Sequence, residues 1–236
     1  ALEHARDLLG LADPVAAFRP DHPLLDALAR RYTGIRIGRT EAVVEALVPA
    51  ILEQKITGDE ARRVYRALIR VHGEDAPGPL GLRLPPSAEQ LAGMAYFAFH
   101  PLGLERRRAE LLRRVGAAGP RLETLVQVAQ ADPVAAGQRL QAIPGIGSWT
   151  AGEVGRVAFG DPDALSIGDY HLPSLVCFAL AGERHGDDAR MLELLEPWRG
   201  QRGRVVRWLE LGRRDLAGLG PARRGPRLPS RSIGDL

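Results

Sequence analysis

The stretch Leu140-Gln141-Ala142-Ile143-Pro144-Gly145-Ile146-Gly147-Ser148-Trp149-Thr150-Ala151 decides how this chain is read. Before it, Asp132-Pro133 marks the start of a helix, an N-cap followed by proline in the first turn. After it, a second helix is expected from Ser148, with that hydroxyl as its N-cap. Between the two lies a tight turn with two glycines. Glycine at 145 and 147 lets the backbone take positive φ and approach another molecule closely, leaving amide N–H groups pointing outward beside a helix start. Such a turn suits an anion. A bare Pro-Gly-x-Gly reads as a plain corner, in which glycine ends one helix and proline stiffens the turn. Leu140 and Ile143 before the turn, Ile146 inside it and Trp149-Thr150-Ala151 after it favour a phosphate site instead. Contacts of that kind position a protein on nucleic acid without reading base sequence.

Outward from the turn, apolar residues recur at three- and four-residue intervals, as in Val43, Val44, Leu47, Ile51, Leu52 and in Val64, Leu68, Ile69. Thr57 with Glu60 and Ser87 with Gln90 have the spacing of capping boxes. The pattern predicts an all-α protein of about ten helices with no period-2 strand. Four divisions are expected: an N-terminal helical segment over 1–40, a helical bundle over 41–130, the hairpin with closing helices over 131–212, and a basic irregular tail over 213–236.

With 236 residues, 45% hydrophobic, the chain can bury one good-sized core or two small adjoining ones. It has no apolar run long enough to cross a membrane and no secretory pattern, so no membrane contact and a cytoplasmic location are expected. The single cysteine, Cys177, excludes an internal disulfide, a Cys-ligated zinc and an iron–sulfur cluster, and the six histidines form no ligand-spaced group. Net charge is only +3, but arginines cluster at 106–108 with 113–114, at 199–207, and from 213 to 231, which suggests phosphate contacts.

Following the hairpin, the chain continues Ala158-Phe-Gly160-Asp-Pro162-Asp163-Ala-Leu-Ser-Ile-Gly168-Asp169-Tyr170. Asp161 and Asp163 read as turn caps; Asp169, just ahead of an apolar helix, reads as an N-cap, where the helix dipole favours an anion. Hairpin, loop and aspartate together resemble the helix-hairpin-helix DNA glycosylase superfamily, most of all its alkylated-base, or 3-methyladenine type II, branch. Ala50-Ile-Leu-Glu-Gln54-Lys-Ile-Thr57, Leu102-Gly103-Leu104 before Arg106, and Glu196-Pro197-Trp198-Arg199 match in the same order, so that the likeness runs from about Asp21 to Gly212.

The resemblance implies two helical subdomains with a cleft between them and a monomer acting on double-stranded DNA that contains a damaged base. It makes Asp169 the catalytic carboxylate, stabilising the sugar cation as the base departs. It lines the base pocket with Trp149, Trp198, Gln54 and Tyr170, with indole faces attracting a positively charged alkylated purine. DNA would be held by Pro144, Gly145, Ile146, Gly147, Thr150 and Arg106, with Leu104 as the wedge that fills the gap left by the flipped nucleotide. It allows a structural Na+ or K+ on the carbonyls of Ile143 and Ile146, and implies no catalytic metal or other cofactor. Relatives that also cut the strand carry a lysine where this chain has Trp149, and Lys55, its only lysine, belongs to another helix, so a monofunctional enzyme leaving an abasic site is expected. A non-enzymatic DNA-structure binder, or a glycosylase for uracil or oxidised bases, are the alternatives. The mixed α/β domain that precedes this region in classical members has little room before Asp21.

Overall fold

The computed structural model describes residues 2–214; nearly all of the expected basic tail lies outside them. Thirteen α-helices occur among these residues: α1 (Leu2–Leu8), α2 (Pro23–Arg31), α3 (Val43–Leu52), α4 (Gly58–His72), α5 (Ala88–Gly93), α6 (Arg106–Ala117), α7 (Gly119–Glu123), α8 (Leu125–Ala131), α9 (Pro133–Gln141), α10 (Ser148–Val154), α11 (Leu172–Ala181), α12 (Asp188–Leu195) and α13 (Arg202–Leu211). The expected all-α class holds. One short exception is a two-residue antiparallel ladder, Glu74–Asp75 against Arg83–Leu84, which closes the Gly/Pro-rich loop after α4. Two residues per strand are too few to give a periodic signal.

Local start signals act as their chemistry dictates. The Ser87 hydroxyl accepts the Gln90 N–H at 3.2 Å while the Gln90 side chain accepts the Ser87 N–H at 2.7 Å, a complete capping box. Asp132 accepts the Ala135 N–H at 3.0 Å ahead of Pro133. Thr57 caps α4 at 3.3 Å.

Packing divides the chain into two apolar cores. The first is built around α3, eight of whose ten residues are buried because it is apolar on every side. Leu111 and Leu112 of α6, Leu140 of α9, and Ile146, Ala151 and Val154 of the hairpin close on it. The second core joins Leu25 and Leu28 of α2 to Leu172 and Val176 of α11, Met191 and Leu195 of α12, and Trp208 of α13. The divisions drawn at residues 40 and 130 therefore do not follow the cores: α2 packs with the C-terminal helices, and the hairpin packs with the front bundle. Hydrophobic burial is indifferent to sequence distance, which is why local patterns missed this partition.

A buried ion pair links the N-terminal segment to α13. Arg204, 2% exposed, grips Asp13 with both terminal nitrogens, one at 3.0 Å, while Asp13 also accepts the Ile37 N–H at 2.7 Å. This corrects the phosphate reading of the second arginine cluster. Arg204 is held by Asp13, Arg202 by Asp163, Arg199 by Glu196 and Arg207 by Glu210, so these guanidiniums already have internal partners.

Candidate functional site

The hairpin turn between α9 and α10 is clamped from two sides. The Gln54 amide, at the end of α3, donates to the Gly145 carbonyl and to the Thr150 hydroxyl, both at 3.0 Å. Arg114 of α6 donates to the Pro144 carbonyl at 2.6 Å. Gly145 has φ +103°, and a Cβ there would lie 3.0 Å from a Leu111 methyl, so glycine is required both by conformation and by space. Gly147 differs from expectation: its φ is −97°, open to any residue, and a Cβ there would meet nothing within 4 Å. Gly147 leaves the outer face of the turn bare rather than permitting its shape. It is also the N-cap of α10, with no side chain capping it. The Ser148 hydroxyl, expected in that role, donates instead to the Ile167 carbonyl at 3.2 Å. Among the described residues, nothing accepts the N–H of Gly145 or Gly147, and both residues are exposed.

The loop that follows carries the chain from the first core to the second, with Ala158 buried in one and Leu172 in the other. Asp169 lies on this crossing. One of its carboxylate oxygens accepts the N–H groups of His171 at 2.7 Å and Leu172 at 2.8 Å, capping α11. The other accepts the Trp149 indole N–H at 3.2 Å. Asp169 is half-buried, and its three donors come from the hairpin helix α10 and from the start of α11, so the carboxylate bridges the two.

Two further acids, not identified from the sequence, share this neighbourhood. Glu153 stands one turn after Trp149 on α10, paired with Arg156 at 2.5 Å and accepting the Ser166 hydroxyl. Glu53, beside Gln54, has its carboxyl pushed up by burial and then by the nearby charges of Glu153 and Asp169, against the opposing pull of Arg62 and Arg156. The four-residue spacing from Trp149 to Glu153 is the signal that would have found the first.

Other expected residues divide clearly. Leu104 is 3% exposed and packs in the first core, so it is not the wedge: Gly103, with φ +80°, turns the chain so that the next side chain points inward. The apolar side chain that stands out from this segment is Phe97, 75% exposed. Thr150 is 2% exposed and held by Gln54, and the Ile146 side chain is buried, so both support the turn from beneath rather than meeting DNA with their side chains. Gln54 likewise has its amide engaged in the hairpin, not in a pocket floor. Trp198 donates its indole N–H to the Pro20 carbonyl at 2.6 Å and meets His22 edge to face, which ties it to the second core and not to Asp169. Tyr170 is 62% exposed next to Asp169. Pro144 is exposed on the turn. Arg106 is exposed at the start of α6, paired with Glu110 at 2.7 Å and stacked over Tyr96 at 5.6 Å.

No family model matches the chain. Curated relatives described as probable bifunctional transcriptional activator/DNA repair enzyme AlkA, from two strains of Mycobacterium tuberculosis, are 33% identical over 181 residues, covering 73% of this chain and 35% of the relative. The chain thus spans about a third of the length of the curated relatives it matches. Among solved structures, the 3-methyladenine DNA-glycosylase from Archaeoglobus fulgidus superposes with a TM-score of 0.77 at 23% identity, over 92% of this chain and 75% of that one. Schizosaccharomyces pombe 3-methyladenine DNA glycosylase (Mag1), in complex with abasic DNA, gives 0.69 at 16% identity, over 93% and 100%. A Clostridium acetobutylicum 8-oxoguanine glycosylase/lyase bound to double-stranded DNA gives 0.73 at 15%, over 89% and 74%. At these identities the likeness is one of fold.

Proposed function

We propose that this chain, which has the fold of the helix-hairpin-helix DNA glycosylases, hydrolyses the N-glycosidic bond of alkylated purines in double-stranded DNA and leaves an abasic site. The observation that carries the reading is the contact between the Trp149 indole and Asp169. It sets a fixed carboxylate beside an electron-rich ring and a turn whose amides face outward, as excision of a cationic base requires.

The hairpin would take a backbone phosphate on the Gly145 and Gly147 amides, and Arg106 would meet the backbone separately, from the start of α6. The nucleotide is rotated out of the stack to reach the site. An alkylated purine carries positive charge and is attracted to the Trp149 face. As its bond to the sugar lengthens, positive charge grows on the sugar ring, and the Asp169 carboxylate stabilises it. Held by three N–H groups, that carboxylate needs no reorganisation at the moment of reaction, and a remaining lone pair can orient the attacking water. With tryptophan at position 149 and no other lysine than Lys55, a Schiff base has no amine on the hairpin, which supports a monofunctional reaction.

The hairpin also fits a monovalent cation, Na+ or K+. The Ile143 carbonyl accepts the Ile146 N–H at 3.0 Å and keeps its second lone pair, and the Ile146 carbonyl accepts nothing from the turn. Neutral carbonyl oxygens are the donor set of such ions, and bound there one would add positive charge where the phosphate sits.

Duplexes each carrying one damaged base test the proposal, with free base measured before and strand cleavage after alkali. The wild type should release alkylated purines and cut only after alkali. Asp169→Asn should lower release by roughly 10²- to 10³-fold, the cost of removing one preorganised electrostatic group, with duplex binding kept. Equal release from this variant would refute the mechanism. Retained binding with no release by the wild type would instead favour a DNA-structure binder.

A further inference from the structure

A groove of about 270 Å³ runs along α4, lined by Asp59, Arg62, Arg63, Arg66, Ala67 and Arg70. The opposite face of the helix is buried through Ala61, Val64 and Leu68, so the lining is its solvent face. Four guanidiniums within nine residues repel one another, since like charges four apart on a helix destabilise it. Among the described residues Arg62 has an ionic partner, Asp59 at 2.5 Å, while Arg63, Arg66 and Arg70 are exposed and pair with none. The contrast with a second basic groove, at 36–40 and 156–161, is informative. There Arg39 pairs with Asp7 and Glu41, Arg156 with Glu153 and Arg207 with Glu210, so three of its four guanidiniums are matched internally, and Arg36 donates to the Asp13 carbonyl. The α4 groove is left to be neutralised from outside.

Its near end adjoins the residues that hold the hairpin. Helix α4 begins four residues after Gln54, which holds the hairpin. Arg62, at the near end of the groove, bears on the Glu53 carboxyl that also senses Asp169. From Arg63 to Arg70 the helix rises about 10 Å, enough to track about three phosphates of one strand at ~3.4 Å of duplex axis each.

We infer that the α4 groove is a second DNA-backbone contact, in which Arg63, Arg66 and Arg70 bind phosphates of the strand flanking the damaged nucleotide. It extends the reading that the chain acts on duplex DNA, and rests on it. Three phosphate contacts contribute about 2.7 to the slope of log K against log salt, so between 50 and 200 mM salt their loss removes roughly 40-fold of salt sensitivity.

The test measures binding to a 25-base-pair duplex with a central abasic analogue over that salt range. The variants are Arg63→Ala/Arg66→Ala/Arg70→Ala, the same three positions changed to Lys, and Arg121→Ala. Arg121 is an exposed residue on α7, the helix whose Glu123 caps the far end of α3. The alanine triple should flatten the slope by two to three, the lysine triple should restore most of it, and Arg121→Ala should leave it as in the wild type. An unchanged slope in the alanine triple, with duplex binding and base release intact in the wild type, overturns the groove and leaves the glycosylase reading standing. A flattened slope with a wild type that releases no base supports the groove and refutes the glycosylase. A wild type that binds no duplex overturns both.

Discussion

Replacing each hairpin glycine by alanine separates what the turn needs to form from what it needs to bind. At Gly145 the backbone sits at φ +103°, a region closed to side chains, and the new methyl would be 3.0 Å from a Leu111 methyl. The conformational strain alone costs about 1–3 kcal/mol. Part of it is relieved if the turn shifts, but the Gly145 carbonyl is held by Gln54, so relief breaks that bond as well. For a chain of this size a loss of about 2 kcal/mol lowers the melting midpoint by roughly 4–8 °C. At Gly147 the φ of −97° is ordinary and the methyl enters open space. Stability there should change by less than about 1 kcal/mol, because the freedom lost by the unfolded chain, about 0.4–1 kcal/mol, is offset by alanine being a poorer N-cap than glycine. Duplex affinity should nevertheless fall by about tenfold, or ~1.4 kcal/mol, since the methyl stands where a phosphate oxygen would approach the amides. Urea unfolding and fluorescence anisotropy with an abasic-analogue duplex read the two quantities independently. Wild-type affinity in Gly147→Ala, or wild-type stability in Gly145→Ala, would refute this account of the turn.

Leu104→Ala should destabilise the fold by about 2–5 kcal/mol through a core cavity while base release per folded molecule stays near wild type; a selective loss of release at full stability would return Leu104 to the wedge. Arg204→Ala should cost about 3–5 kcal/mol because it strands a buried Asp13 charge, and removing both partners together as Asp13→Leu/Arg204→Met should recover much of that in urea titrations. Glu53 takes its sign from a raised folded-state pKa. The folded protein holds that proton more tightly than the unfolded chain, so the term is neutral below the ordinary value of 4.5 and costs stability as pH rises through the raised one. Glu53→Gln should therefore raise the melting midpoint at pH 7 and leave it unchanged at pH 4, and the reverse order would sink the assignment.

What the amino-acid order made legible was what is decided within a few residues. The Ser87 box, the Asp132-Pro133 start, the hairpin itself and the capping role of Asp169 all follow from side chains reaching backbone amides close by in sequence. Cys177 lies within the apolar run from Leu172 to Leu180, and it is fully buried. What stayed hidden is decided at long range. The partner of Arg204 is 191 positions away, so its guanidinium looked like a free surface charge. Thr150 and Gln54, expected at the DNA and in the pocket, answer each other across 96 residues. Leu104 turned on the handedness of a single glycine, which a hydrophobic pattern does not encode. Trp198 was misplaced because its binding partner, the Pro20 carbonyl, comes from a segment with no pattern of its own.

The carboxylate at 169 is suspended where the chain passes between two separately packed halves, so the proposed catalysis should be more fragile than the proposed grip. Sub-global opening of the C-terminal half would withdraw the His171 and Leu172 amides and let the anion swing away, while the hairpin, anchored in the other half, stays assembled. On warming, turnover should thus fade before the nucleic acid is let go, and deuterium should enter the amides of α11 ahead of those of α3.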